Sequence, residues 1–121
     1  MNKLLESVIA MHVKFGITND EIPNFSEEER RFRITAMQEE LDEYIVAGTA
    51  EDELDALVDL AVFTLGTIER MGHADNFDEA YRRVMEKNME KELGPNQKRN
   101  SFQLDLIKPE GWVPADLSDL V

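Results

Sequence analysis

Apolar residues recur at three- and four-residue intervals over residues 3–15, where Leu4, Leu5, Val8, Ile9, Met11, His12 and Phe15 mark one face of an amphipathic helix. Gly16 is expected to end it. Residues 17–25 carry Asn19, Asp20 and Pro23 and read as a loop. Ser26 then opens a second helix, with Glu29 three residues on as the partner in a capping box: the hydroxyl accepts from an early N–H and the carboxylate reaches back. That helix runs through Phe32, Ile34, Met37, Leu41, Tyr44 and Ile45. A third helix over 51–71 follows the short break Ala47-Gly48-Thr49-Ala50 and is apolar nearly all round, so it is expected to be the most buried element. Gly48 suits a helix C-terminus, and so brief a connection predicts two helices folded back antiparallel. Asp75 or Asn76 is the expected N-cap of a fourth helix over about 77–92, stopped by Gly94-Pro95-Asn96.

The tail, 95–121, contains Pro109, Gly111 and Pro114 and has no helical period. Its Phe102, Leu104, Leu106, Ile107, Trp112, Val113 and Leu117 are too apolar to stay solvated, so it is expected to lie extended on the bundle or on a second subunit. The pattern therefore predicts an all-α fold: an antiparallel four-helix bundle with an extended C-terminal tail, forming one domain over 1–121.

Acids break this apolar pattern in one stretch. Glu39, Glu40 and Glu43 fall within about 100° on the second helix, and Asp52, Asp55 and Asp59 within about 60° on the third. Asp59 stands among Leu57, Val58, Leu60, Ala61, Val62 and Phe63, where an unpaired carboxylate is costly. Counting back from the turn places Glu43 opposite the region of Asp52 and Glu40 opposite Asp55 or Ala56, with Asp59 about one turn deeper. Facing carboxylates form an all-oxygen ligand set suited to Mg²⁺ or Mn²⁺. The competing reading is a pair of solvated charged faces.

Composition adds direction. The 121 residues are 42% hydrophobic with a formal net charge of -13, enough for one modest core and unsuited to nucleic acid or an anionic membrane. The absence of cysteine excludes a disulfide framework and a thiolate metal site and makes the cytoplasm the expected compartment. Glu6, His12 and Lys14 interrupt the apolar residues near the start, which leaves no signal-peptide core, and no run reaches the roughly 20 apolar residues of a membrane span. Phosphate-cradling glycine loops, EF-hand loops and the Glu-x-x-His pairs of di-iron bundles are all missing. Late in the fourth helix Asn88 lies on the inner face with Lys87 and Lys91 nearby, a polar group suited to a nucleotide. His12 is a candidate ligand contact, although a lone His on an apolar face is more often packed. Gly66, further along the acidic arc than Asp59, leaves room for either a substrate or a close helix contact.

These residues resemble the all-α nucleoside triphosphate pyrophosphohydrolases of the MazG-like superfamily, which includes phosphoribosyl-ATP pyrophosphatase and dimeric dUTPases. The family pattern is Glu-Glu-x-x-Glu, a gap, then Glu-x-x-Asp and an apolar run. Glu39-Glu40-Leu41-Asp42-Glu43 matches the first half, and Asp59-Leu60-Ala61-Val62-Phe63 is similar to the end of the second. Ala56 stands where the family has its second-half Glu, with Asp55 beside it as the candidate substitute. The stretches MHVKFG, Lys87-Asn88-Met89-Glu90-Lys91 and Lys108-Pro109-Glu110-Gly111-Trp112, together with Arg33, resemble one bacterial branch acting on dUTP or other dNTPs. The resemblance implies a homo-oligomer, dimer or tetramer, that cuts a nucleoside triphosphate between its α and β phosphates. It implies Glu40, Glu43, Asp55 and Asp59 as metal ligands and Glu39 and Glu40 as catalytic carboxylates. Asn88, Lys87, Lys91, Lys108 and His12 would be substrate contacts. A non-catalytic acidic helical interaction module and a simple cation-binding protein are the alternatives.

Overall fold

The computed structural model describes residues 2–121 and contains four α-helices and one small antiparallel sheet. The helices are α1 (Lys3–Phe15), α2 (Glu27–Val46), α3 (Ala50–Arg70) and α4 (Phe77–Asn88). The strands are β1 (Glu92–Leu93) and β2 (Leu106–Ile107), with Glu92 opposite Ile107 and Leu93 opposite Leu106. Single 3-10 turns lie at Ala74–Asn76, Gln97–Arg99 and Ser118–Leu120. The chain divides into two compact units, Met1–Asp75 and Asn76–Val121.

In the first unit, α1 begins where the Asn2 side chain accepts from the Leu4 and Leu5 N–H groups, and it ends at Gly16 in the left-handed conformation, φ 70°. The Ser26 hydroxyl caps α2 by accepting from Glu29 N–H at 3.0 Å. The other half of the expected capping box is diverted: the Glu29 carboxylate takes Arg70 instead, because a buried guanidinium outcompetes a backbone N–H that sits near water. Between α2 and α3 the Thr49 hydroxyl caps α3 by accepting from Asp52 N–H at 3.1 Å. Gly48 does not adopt a positive φ, so the turn uses the Thr49 cap rather than a left-handed glycine.

The helices α2 and α3 make the most extensive contact, with Phe32 and Phe63 edge to face at 6.5 Å, and α1 packs on α3. Leu5, Val8, Ala36 and Ala56 form the enclosed apolar core. Among the described residues α3 holds more buried positions than any other helix, as expected, but it is not enclosed on its large apolar side chains. Leu54 and Val58 are 65% and 51% exposed, whereas Ala56, Gly66, Glu69 and Arg70 are the residues it buries. Its small and polar positions face α1 and α2, and much of its large apolar surface faces outward.

Burial of charge shapes this unit. Arg70 donates to both Glu29 oxygens and to the Ile22 and Asn24 carbonyls, tying the 17–25 loop to α2 and α3. His12 Nδ1 meets Glu69 Oε1 at 2.6 Å, and Glu69 Oε2 accepts from Asn19 N–H at 2.9 Å. A Cβ at Gly66 would stand 2.9 Å from Arg33 Nη1 and 3.2 Å from His12 Nε2, so the missing side chain admits these two groups.

The second unit is built on α4. That helix stops at Asn88 rather than near 92, because residues 92 and 93 leave it to pair with β2, and Gly94 N–H continues toward Asp105 O at 2.8 Å. Asn76 precedes α4 without a capping hydrogen bond; its amide donates to Leu120 O instead. The tail folds onto α4 through Trp112 Nε1, which donates to Lys87 O at 3.0 Å, and through Arg83, which forks onto Asp119.

Candidate functional site

The relative placement of α2 and α3 is fixed by three contacts: Glu29 with Arg70, Arg33 with Gly66, and Phe32 with Phe63. Continued toward the turn, the first two bring Glu40 level with Asp59 and Glu43 level with Asp55 and Ala56. The Phe32–Phe63 contact has the spacing of the count-back, which set Glu40 against residues 55 and 56 with Asp59 a turn deeper, and the charges of Asp59 and Asp55 both act on Glu40.

Glu40, Glu43, Asp55 and Asp59 are brought together. The Glu40 carboxyl is held above the usual carboxylate range by burial first, then by the hydrogen bond its protonated form gives Glu43, then by the charges of Glu43, Asp59 and Asp55. Its Oε2 is enclosed and has no hydrogen-bond partner. Such an oxygen is costly unless a proton or a cation satisfies it. Glu43 and Asp55 also line a cleft of about 270 Å³ at the turn, shared with Val46, Ala47, Gly48 and Asp52. Among the described residues no three acidic or histidine side chains close into a ready-made ion cage, so the carboxylates face one another without converging on a point.

Glu39 is exposed, and its position is rotated about 100° from Glu40. Asp42 accepts from Gln38 Nε2 at 2.9 Å and takes no part in the cluster. Ala56 is 2% exposed, so a carboxylate at that position would enter the packed interior of the unit, while Asp55 reaches the cleft from the surface.

His12 is not with the acids. It is 2% exposed, paired with Glu69 and set against Gly66, which lies seven residues, roughly 10 Å, further along α3 than Asp59. The room left by Gly66 is thus taken by His12 and Arg33. Burial lowers the Arg33 guanidinium from its ordinary value, and Arg33 Nε has no partner. Glu69 and Arg70 were not singled out from sequence, because Glu69-Arg70 at the end of a helix reads as ordinary surface charge, and Glu29 was read only as half of a capping box.

Within the second unit the expected contacts separate. Lys87, Lys91 and Lys108 place their ammonium groups 5.6, 5.2 and 5.1 Å from the Trp112 ring centroid, within cation–π range. Lys87 also pairs with Glu90 at 2.7 Å. Asn88 is half-buried and donates only to the Met85 sulfur, at 3.9 Å.

A scan against protein-family models and a search of curated proteins both return no match. Among the described residues no helix is long and apolar enough to cross a membrane.

Proposed function

We propose that the chain is a divalent-metal-dependent nucleoside triphosphate pyrophosphohydrolase of the MazG-like all-α type, acting on a (d)NTP such as dUTP. The observation that carries the reading is the enclosed, partnerless Glu40 Oε2 facing Glu43, Asp55 and Asp59. An orphaned carboxylate oxygen among further carboxylates fits a hard cation, Mg²⁺ or Mn²⁺, better than any neutral ligand. Glu43 and Asp55 are exposed and form no ion pair among the described residues, and both line the cleft at the turn.

Glu40, Glu43, Asp55 and Asp59 would hold the cation, which when bound supplies charge neutralisation to the triphosphate and a more acidic water. Glu39, exposed and next to Glu40 in sequence, would take the proton as water attacks the α-phosphorus in line. The bond from that phosphorus to the bridging oxygen breaks, pyrophosphate leaves, and a nucleoside monophosphate remains. Lys87, Lys91 and Lys108, with Asn88, are the expected substrate contacts. The pattern of acids in sequence, and its resemblance to the MazG-like family, supports cleavage between α and β.

The outward apolar residues of α3, with Leu41, Tyr44 and Ile45 of α2, support assembly with a second copy in a homo-oligomeric enzyme. The test is product analysis on the purified chain with a panel of nucleoside triphosphates and Mg²⁺ or Mn²⁺. Pyrophosphate and monophosphate are expected. Release of orthophosphate as the first product would overturn the cleavage assignment. Turnover of no nucleotide would favour an acidic interaction module, whose docking face would be the same exposed apolar residues.

A further inference from the structure

Leu5, Val8, Ala36 and Ala56, the enclosed apolar core, all belong to the first unit. Residues 76–121 have no such centre: among them Gly94 alone is buried. Yet α4 and its end leave Tyr81 57% and Met89 81% exposed in the complete chain, with Val84 and Met85 exposed between them. A unit of this size without enclosed side chains has little burial to set against the entropy of folding, and an apolar face left in water marks a surface that another molecule covers.

The exposed residues form one row. Tyr81, Met85 and Met89 follow at four-residue intervals, with Val84 beside Met85. Phe77 extends the row toward the start of α4 and packs on Tyr81, with 5.9 Å between ring centroids. Charged side chains of α4 are paired with one another or with the tail: Arg82 with Glu79 and Glu86, Arg83 with Glu79 and Asp119, and Lys87 with Glu90. Asp78, Glu79 and Glu86 balance Arg82, Arg83 and Lys87, so α4 is neutral overall.

That balance selects the occupant. Two chains of net charge -13 repel over most of their surface; residues 34–69 hold ten Asp and Glu and no Lys, Arg or His. The neutral row on α4 is a face on which two copies meet without setting acid against acid. It is also self-complementary. Tyr81 and Met89 lie four residues either side of Met85, so two antiparallel α4 helices centred there set the Tyr81 ring of each copy against the Met89 thioether of the other. Rows at four-residue spacing interdigitate in the commonest class of helix packing.

We propose that the row Tyr81, Met85 and Met89 is a docking surface for a second copy of this chain, with two α4 helices packed antiparallel across a two-fold axis at Met85. The homo-oligomer of the proposed hydrolase gives this contact a use, but no carboxylate of α2 or α3 enters it.

The experiment is light scattering and thiol crosslinking on the full chain. The wild type is expected at a multiple of 13.9 kDa. Met85→Glu, which brings two carboxylates together at the axis, should halve that mass at unchanged helix content by circular dichroism. Leu4→Glu, the same charge change on exposed α1, should leave it as it is. The chain has no cysteine, so Met85→Cys introduces a single thiol, which a short bis-maleimide should join into a covalent dimer; Leu4→Cys should stay unlinked. This second variant decides the matter if Met85→Glu fails to fold. A monomeric wild type, an unchanged mass in folded Met85→Glu, or equal linking of Met85→Cys and Leu4→Cys would overturn the interface. Neither readout uses turnover: a linked dimer that releases no pyrophosphate counts against the hydrolase reading alone, and an active monomer against this interface alone.

Discussion

Arg70 donates from Nε and Nη2 to the two carboxylate oxygens of Glu29, each at 2.8 Å, across 41 residues of sequence. The guanidinium is almost wholly enclosed. Removing its partner leaves a buried charge uncompensated, so Glu29→Gln should destabilise the fold by about 3 kcal/mol at neutral pH. Arg70 holds the Glu29 carboxyl below its ordinary range. A depressed carboxylate contributes stability that is complete above the unfolded value and is lost as pH falls through the folded one. Urea unfolding at several pH values should therefore show the wild type and Glu29→Gln converging in acid; a gap that stays constant would refute the account.

Gly66→Ala sets two effects against each other. Alanine gains about 1 kcal/mol of helix propensity over glycine. Its Cβ would meet Arg33 and His12, both buried and with His12 held by Glu69, and overpacking of this kind costs roughly 1–3 kcal/mol. A net loss of stability is expected by chemical denaturation, and a gain would mean that Arg33 swings aside freely.

Glu40→Gln tests the carboxylate cluster without any assay of turnover. A carboxyl whose folded pKa is raised makes stability fall as pH rises from the ordinary carboxylate range through the raised value. The amide removes that penalty, so the variant should melt higher than wild type in EDTA near neutral pH. Mg²⁺ should raise the melting temperature of the wild type and do so far less in the variant. Equal Mg²⁺ shifts in both proteins would exclude Glu40 as a ligand.

Asp55→Asn and Asp59→Asn should each reduce pyrophosphate release by about 100-fold at limiting Mg²⁺, as expected for lost ligands. Asp52→Asn should do little. Asp52 lines the cleft beside Asp55, while the charges that raise Glu40 are those of Glu43, Asp59 and Asp55. Wild-type turnover in Asp55→Asn would end the idea that this residue replaces the acid absent at Ala56.

Local rules were legible in the sequence. The limits of α1, the Ser26 cap, the start of α3 and the hairpin all follow from side-chain periodicity and short-range hydrogen bonds. Their failures have one kind of cause, a distant partner. Glu29 reads as half of a capping box until Arg70 arrives from the end of α3. Residue 92 falls within the expected span of the fourth helix and pairs instead with residue 107.

The clasp formed by Glu69 and Arg70 also dictates an order of events. The helices α2 and α3 are joined by three residues, so their pairing requires little loop closure, whereas His12, Asn19 and Ile22 reach these side chains across 57, 50 and 48 positions. The hairpin is therefore expected to assemble before α1 docks. In stopped-flow measurements Ala36→Gly, in the hairpin, should mainly slow folding, while Leu5→Ala, on the late-docking helix, should mainly speed unfolding. The amino-terminal helix would then be the part of this unit that opens first and closes last.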